Sequence, residues 1–277
     1  MGRDGAVTAN PLSDAQVDRF IEDGFVRLEQ VVPPEVVAAG RAVIWSDLGQ
    51  SPDDPSSWTE PVARLLPSDA RPFAAAFDNP RLHGAFDQLV GAGRWLARPH
   101  LGLFVIRFPH PSDPADTGWH IDASFPPDDR PDDLPSQGFD FSAWRVNVVS
   151  RDRALLMLFL FSDVGPDDGP TRVRVGSHLD VPPILVRAGP DGLVGSEISA
   201  RVARASASRP TALATGAAGD VYLCHPFLVH AAQAVRGAVP RVMAQPPLAP
   251  REPCVLDRPA GSSPVETAIR RGLGTEG

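Results

Sequence analysis

Residues 118–123 read GWHIDA, and His120 and Asp122 inside this run are side chains able to do metal chemistry. On a β-strand, residues i and i+2 point to one face. An imidazole and a carboxylate placed that way would flank a metal ion and leave space beside it. A lone His-x-Asp is more often surface polarity or a core hydrogen bond, so a third ligand has to be found among the seven histidines. The segment GDVYLCHPFLVHAAQ, residues 219–233, offers His225 and His230. Their odd separation puts them on opposite faces of a regular strand, so one of the two can join the site. His225, which precedes Pro226, and His230 are the alternatives for the third ligand, the other then being a structural histidine. Two histidines and one carboxylate form a facial triad with open coordination positions, the arrangement associated with non-haem Fe(II) oxygenases. Arg241 is then available for the far carboxylate of a keto acid, because its planar fork binds carboxylates through two parallel hydrogen bonds.

The composition narrows the function classes around this candidate. All 26 residues counted as Lys+Arg are arginine, which excludes a Schiff-base lysine, a pyridoxal phosphate enzyme and the lysine of a phosphate-binding Walker loop. A formal net charge of −8 argues against broad nucleic-acid binding, which needs a basic surface. No apolar run approaches the roughly 20 residues of a membrane span, so no membrane association is expected. The opening MGRDGAVTANPLSD has no apolar signal core. Cys224 and Cys254 are too few to staple a domain of this size. These features predict a cytoplasmic protein, and the oligomeric state is left open.

Positioning such a site takes a scaffold of sizeable core, and 277 residues with 43% hydrophobic content supply one. Ser13 and Gln16 form a capping box for a first helix, with Leu12 and Val17 at the staple positions and Gly24 placed to end it. Residues 25–28, FVRL, alternate as a short strand. A second helix is expected from Pro34 to about Leu48, with Val36, Val37, Val43 and Ile44 inward. Asn79-Pro80 reads as N-cap and first-turn proline of a third, with Leu82, Phe86, Leu89 and Val90 facing the core. After Gly93, short apolar stretches recur between Pro, Gly and Asp: 101–108, 119–123, 143–149, 154–161, 171–175, 220–223, 229–231 and 241–244. That spacing predicts an antiparallel sandwich or barrel behind a helical front section. Residues 124–142 are too polar and proline-rich for core and too long for a simple hairpin, which suits a lid or binding loop. The tail after Pro259 is expected to be loosely held.

Several of these stretches together resemble the phytanoyl-CoA dioxygenase family of Fe(II)- and 2-oxoglutarate-dependent oxygenases. The opening LSDAQVDRFIEDGFVRLEQVVPPEVV is similar to that family's start, and WHIDASF to its first metal motif. GPTRVRVGSHLD is similar to its central turn-and-strand segment, and GDVYLCHPFLVHAAQ to its second metal motif. Arg241, eleven residues after His230, falls where the family places its 2-oxoglutarate arginine. The resemblance spans residues 12–248. It implies a mainly β fold with flanking helices: a double-stranded β-helix (jelly-roll, cupin-like) core with the N-terminal helices on its larger sheet. It implies one domain, with a helical front section over about 12–93, a barrel core over about 98–248 and a peripheral tail over 249–277. It also implies Fe(II) on His120, Asp122 and His230, with 2-oxoglutarate as cosubstrate on Arg241 and O2 as oxidant, releasing succinate and CO2.

The chain departs from the family at Ala232, where many relatives carry a small hydroxyl residue, and in having no lysine near the cosubstrate. Thr171 is the candidate to supply the missing hydrogen bond. Related halogenases replace the metal carboxylate by a small residue, so Asp122 points to hydroxylation or another oxidative outcome such as desaturation, ring closure or epimerisation. The alternative is a catalytically inactive cupin-like protein that binds a metal or ligand. A metal-dependent hydrolase or isomerase would leave Arg241 without a purpose. The expected partner is a small-molecule substrate. Arg107, Arg145, Arg151 and Arg153 lie near the predicted mouth, where one of them would grip an anionic group. Trp119 and Trp144 are candidate pocket walls, and Phe104, Phe108, Phe125, Phe139 and Phe141 suggest a partly apolar substrate. His178 is expected to buttress the barrel, and Asp220 to shape a turn.

Overall fold

The computed structural model describes residues 11–98, 100–127, 143–258 and 260–275. The larger part of the expected lid, with Phe139 and Phe141, lies outside them. The first helix, α1 (Asp14–Asp23), starts at the Ser13–Gln16 capping box and ends on Gly24, whose φ of 89° suits a residue without Cβ. It leads into β1 (Phe25–Leu28) and α2 (Pro34–Leu48), then β2 (Val62–Leu65) and α3 (Arg71–Phe77). Asn79 accepts from the Arg81 and Leu82 amides to open α4 (Pro80–Val90). There follow β3 (Phe104–Arg107), β4 (Arg145–Val146), β5 (Leu155–Leu160), β6 (Thr171–Arg174) and a short α5 (Pro182–Leu185). The remainder is β7 (Leu193–Val194), α6 (Gly195–Ala205), β8 (Thr211–Ala214), β9 (Val221–Cys224), β10 (His230–Ala231), β11 (Arg241–Ala244), β12 (Pro247–Leu248) and α7 (Pro264–Leu273).

Among the described residues the paired strands are antiparallel. The main sheet runs β1-β9-β5-β11-β3-β2, with β12 also on β5; β10-β6-β8 and β4-β7 form two smaller sheets. Strand alternation explains why the main sheet can be buried on both faces. In β5, Leu155, Met157 and Phe159 join the core that also holds Phe20, Ile44 and Phe73 of the helices. Leu156, Leu158 and Leu160 enter a second core with Val173 of β6, Tyr222 of β9 and Met243 of β11. The helices therefore cover one face, and Phe73 of α3 reaches Phe104 of β3 with ring centroids 4.6 Å apart. On β3 and β11, Phe104, Ile106, Val242 and Ala244 face the helical core. Val105, Arg107, Arg241 and Met243 are then on the other side, towards β6 and β10.

Two expectations need correction, and the helical front section also holds β2, which is half-buried, pairs with β3 (Val62↔Arg107) and extends the main sheet. Residues 119–123 form no regular strand. Only His120 makes an isolated bridge, to His230, and Pro126 and Pro127 further on lack the N–H needed to extend a ladder. The tail is not loosely held either. Ser263 and Glu266 make a second capping box, and Val265, Ala268 and Ile269 are buried as α7 packs on α1, α4 and α5. Glu266 and Arg94 form a two-pronged ion pair, one arm at 2.9 Å. Among the described residues no helix is long and apolar enough to cross a membrane.

Candidate metal centre

The bridge between His120 and His230 is made by both backbones. His120 N–H donates to the His230 carbonyl at 3.0 Å, and His230 N–H to the His120 carbonyl at 2.9 Å. His230 is also held at the start of β10 by register with Val173 of β6. This pairing brings the two imidazole centroids to 4.4 Å. Asp122 Oδ1 lies 3.8 Å from His120 Nε2 and 3.6 Å from His230 Nε2. One ligand atom from each residue falls within 4.8 Å of the others.

The other ring nitrogens set the tautomers. His120 Nδ1 lies 2.8 Å from the Gly118 carbonyl, and His230 Nδ1 lies 3.0 Å from the Leu228 carbonyl. A carbonyl only accepts, so each Nδ1 carries the hydrogen and each Nε2 turns a lone pair to the shared position. Burial would raise the Asp122 carboxyl, but the Arg153 guanidinium and the two histidines outweigh it and hold it well below the usual range. Arg153 Nη1 donates to Asp122 Oδ2 at 3.1 Å and its Nη2 to the Ala123 carbonyl at 3.0 Å. One carboxylate oxygen is thus held by arginine while the other faces the histidines. Burial lowers His120; for His230 the neighbouring Asp122 carboxylate outweighs burial and raises it, favouring an Nε2 proton that a bound metal would displace. With that proton displaced, two Nε2 donors and a fixed carboxylate fit a divalent first-row metal with open positions.

The three residues line a cavity of about 740 Å³. Thr171, Ala232, Arg107 and Asp116 also line it. Asp116 bridges two arginines, with Oδ2 2.6 Å from both Arg107 and Arg64. Arg241 is the cross-strand partner of Arg107 and is 1% exposed. It does not itself reach the cavity wall. Its Nη1 donates to the Gly169 carbonyl at 2.6 Å, and its Nε has no partner among the described residues. Burial and the neighbouring Arg107 charge lower its pKa.

Of the other sequence candidates, Arg107, Thr171, Trp144 and Arg153 meet at the cavity. Trp119 and Arg145 do not. The Trp119 ring lies under the guanidinium groups of Arg172 and Arg174. Arg145 donates to the Asp191 and Gly192 carbonyls at 2.7 and 3.0 Å, so its charge is spent on backbone. His225 is fully buried; its Nδ1 accepts from Phe227 N–H and its Nε2 meets the Val265 carbonyl of α7. The His178 ring lies tilted beside it, with centroids 4.8 Å apart, and does not line the cavity. Asp220 accepts from the Gln30 and Ala217 amides and shapes the turn before β9. Sequence reasoning missed Arg98, His100 and Asp116 at the cavity. None lies in a spacing pattern, and only the paired strands bring them there.

Comparison with solved structures finds similar folds. The carbocyclase SnoK of nogalamycin biosynthesis, described as non-haem and α-ketoglutarate-dependent, is 20% identical, with 86% of this chain and 83% of that chain covered and a TM-score of 0.52. HygX of Streptomyces hygroscopicus, solved with nickel, 2-oxoglutarate and hygromycin B, is 20% identical, with coverages of 84% and 86% and a TM-score of 0.51. EctD of S. alaskensis, solved with 2-oxoglutarate and 5-hydroxyectoine, is 20% identical, with coverages of 87% and 77% and a TM-score of 0.53. At this identity the likeness is one of fold. No curated protein sequence matches significantly. A sequence model of the phytanoyl-CoA dioxygenase family matches residues 20–243, a span that holds His120, Asp122, His230 and Arg241, and the chain belongs to that family of Fe(II)- and 2-oxoglutarate-dependent oxygenases.

Proposed function

We propose that the protein hydroxylates a small organic molecule, using Fe(II) held by His120, Asp122 and His230 and 2-oxoglutarate held through Arg241. The observation that carries this reading is the convergence of two Nε2 lone pairs and one carboxylate oxygen within 4.8 Å at the wall of a large cavity. The metal, when bound with cosubstrate, supplies the activation of O2 and leaves succinate and CO2 as co-products. The chain supplies position and charge. The Gly118 and Leu228 carbonyls hold the histidine rings in the ligating tautomer. Arg153 keeps Asp122 ionised and oriented. Arg241, set back from the cavity wall beside Arg107, would meet the distal carboxylate of the keto acid where that carboxylate enters against the two arginines, with the Thr171 hydroxyl in the place left by Ala232. Retention of the carboxylate at position 122 favours hydroxylation over halogenation.

The same reading makes the main sheet and the β10-β6-β8 sheet the two walls of a double-stranded β-helix, with residues 1–277 one domain. The second core between these sheets supports it. The test is anaerobic addition of Fe(II) and 2-oxoglutarate, watching for the visible absorption band of the chelated pair, followed by succinate release in air. Absence of the band in wild-type protein with both ligands saturating rules the reading out.

A further inference from the structure

We propose that the substrate is an organic acid, a mainly apolar molecule whose single anionic group is gripped by Arg98 with His100 beside it. This rests on the oxygenase reading and adds the substrate class to it. Four arginines line the cavity: Arg64, Arg98, Arg107 and Arg153. Three of them share two carboxylates, Arg64 and Arg107 on Asp116 and Arg153 on Asp122. Arg98 has no carboxylate partner among the described residues. Its Nη1 donates to the Pro247 carbonyl at 2.7 Å, which anchors the guanidinium beside β12. Its Nε is buried without a hydrogen-bond partner among the described residues, as are the Nε atoms of Arg107 and Arg153. A desolvated cation without a counter-ion is costly, and an acid entering the cavity would remove that cost.

His100 completes the cradle. Its Nδ1 accepts from the Gly102 N–H at 3.0 Å. A backbone N–H only donates, so the neutral ring carries its hydrogen on Nε2 and has one donor left. Burial and the Arg98 charge lower the His100 pKa, consistent with that neutral form. Both residues line the cavity, and a guanidinium with a nearby imidazole N–H can serve the two oxygens of a carboxylate. Elsewhere the lining includes Pro67, Leu103, Val105, Ile121 and Trp144, which suits an apolar body. Arg98 is also close enough to Arg153 for its charge to be disfavoured. Arg153 holds Asp122, so the anion site and the metal position belong to one cavity.

The experiment is anaerobic calorimetric titration of the Fe(II)- and 2-oxoglutarate-saturated protein with octanoate and, separately, with octan-1-ol of the same chain length. Octanoate should bind at least about tenfold more tightly, the scale of one charge-assisted hydrogen bond. Arg98→Met, and independently Arg98→Gln, should abolish the preference while leaving 2-oxoglutarate affinity unchanged. Equal affinity for the two probes, no octanoate binding in wild type, or a preference that survives in either variant overturns the proposal. The same octanoate titration without metal and cosubstrate separates the two readings. There the preference should persist even if 2-oxoglutarate fails to bind, a failure that would count against the oxygenase alone.

Discussion

Arg241→Ala tests the proposed cosubstrate site, because this arginine is buried and its side chain makes one hydrogen bond among the described residues, to Gly169. Truncating one partner of a buried, hydrogen-bonded charge pair costs about 2 to 5 kcal/mol. The lower end applies here, since Arg107 is its cross-strand neighbour and retains a positive charge for the same carboxylate. A loss of about 2 kcal/mol is roughly a 30-fold weaker affinity for 2-oxoglutarate. Without cosubstrate, two effects on folding oppose each other. The variant loses a buried cation whose Nε lacks a partner, and it gains a void where the side chain packed. The stability difference between the two proteins should therefore widen when 2-oxoglutarate is added, as mass action stabilises the tighter binder more. The assay is anaerobic calorimetry of Fe(II) and of 2-oxoglutarate on both proteins, with thermal unfolding at matched ligand concentrations. Equal 2-oxoglutarate affinity in the two proteins, or an Fe(II) affinity that falls in parallel, refutes the assignment.

Alanine at His120 or His230, or Asp122→Gly, should abolish tight Fe(II) binding by calorimetry with the circular dichroism spectrum preserved; a variant that keeps wild-type affinity removes that residue from the ligand set. Arg153→Met should lower Fe(II) affinity by about tenfold or more, the range for losing an outer partner of a metal ligand, while 2-oxoglutarate affinity for the metal-loaded form changes less; unchanged metal affinity would mean that Asp122 needs no such support. His225→Ala should cost about 1 to 3 kcal/mol in denaturant unfolding, because the Phe227 amide and Val265 carbonyl lose a buried partner, and should leave Fe(II) affinity intact; the reverse pattern would exchange the roles of His225 and His230. For Glu266, burial would raise the carboxyl, but Arg94 and the Ser263 and Val255 amides outweigh it and hold it at about 2. A depressed folded pKa gives stability that is full above the unfolded value near ~4.3 and is lost as pH falls towards about 2. Because Arg94 is partly exposed, the loss should be about 1 to 2 kcal/mol after screening, read as the difference between wild type and Glu266→Gln in unfolding across that window. A constant difference would deny the linkage.

Local chemistry wrote several elements directly into the chain. The Ser13 capping box, Gly24, Pro34 and the Asn79-Pro80 pair mark helix ends through groups a few residues apart, so no distant partner was needed to read them. The uniformly apolar β5 and β9 were visible because strands buried on both faces leave no polar alternation. The triad was legible for a different reason: its residue types are rare and its order matches a family pattern. What was missed depends on partners far along the chain. The strand β2 exists because β3 pairs with it, although its own burial pattern is weak. The helix α7 carries the same Ser-x-x-Glu signal as a capping box, but its docking is decided by Arg94 and by α1, α4 and α5.

The sequence by itself marked His120, Asp122 and His230 as candidate metal ligands and Arg241 as the candidate partner of a keto acid, because those are readings of residue type and order. The tertiary structure alone decided how the cavity's charge is distributed. Arg107, Arg145 and Arg153 were equal candidates as residues, yet one pairs with Asp116, one with backbone carbonyls and one with Asp122. Arg98, with no motif to mark it, is the one left without an acid among the described cavity residues. Whether a charge is spent or available depends on which groups lie within a few ångströms, and that is set by strand pairing and packing across long sequence distances.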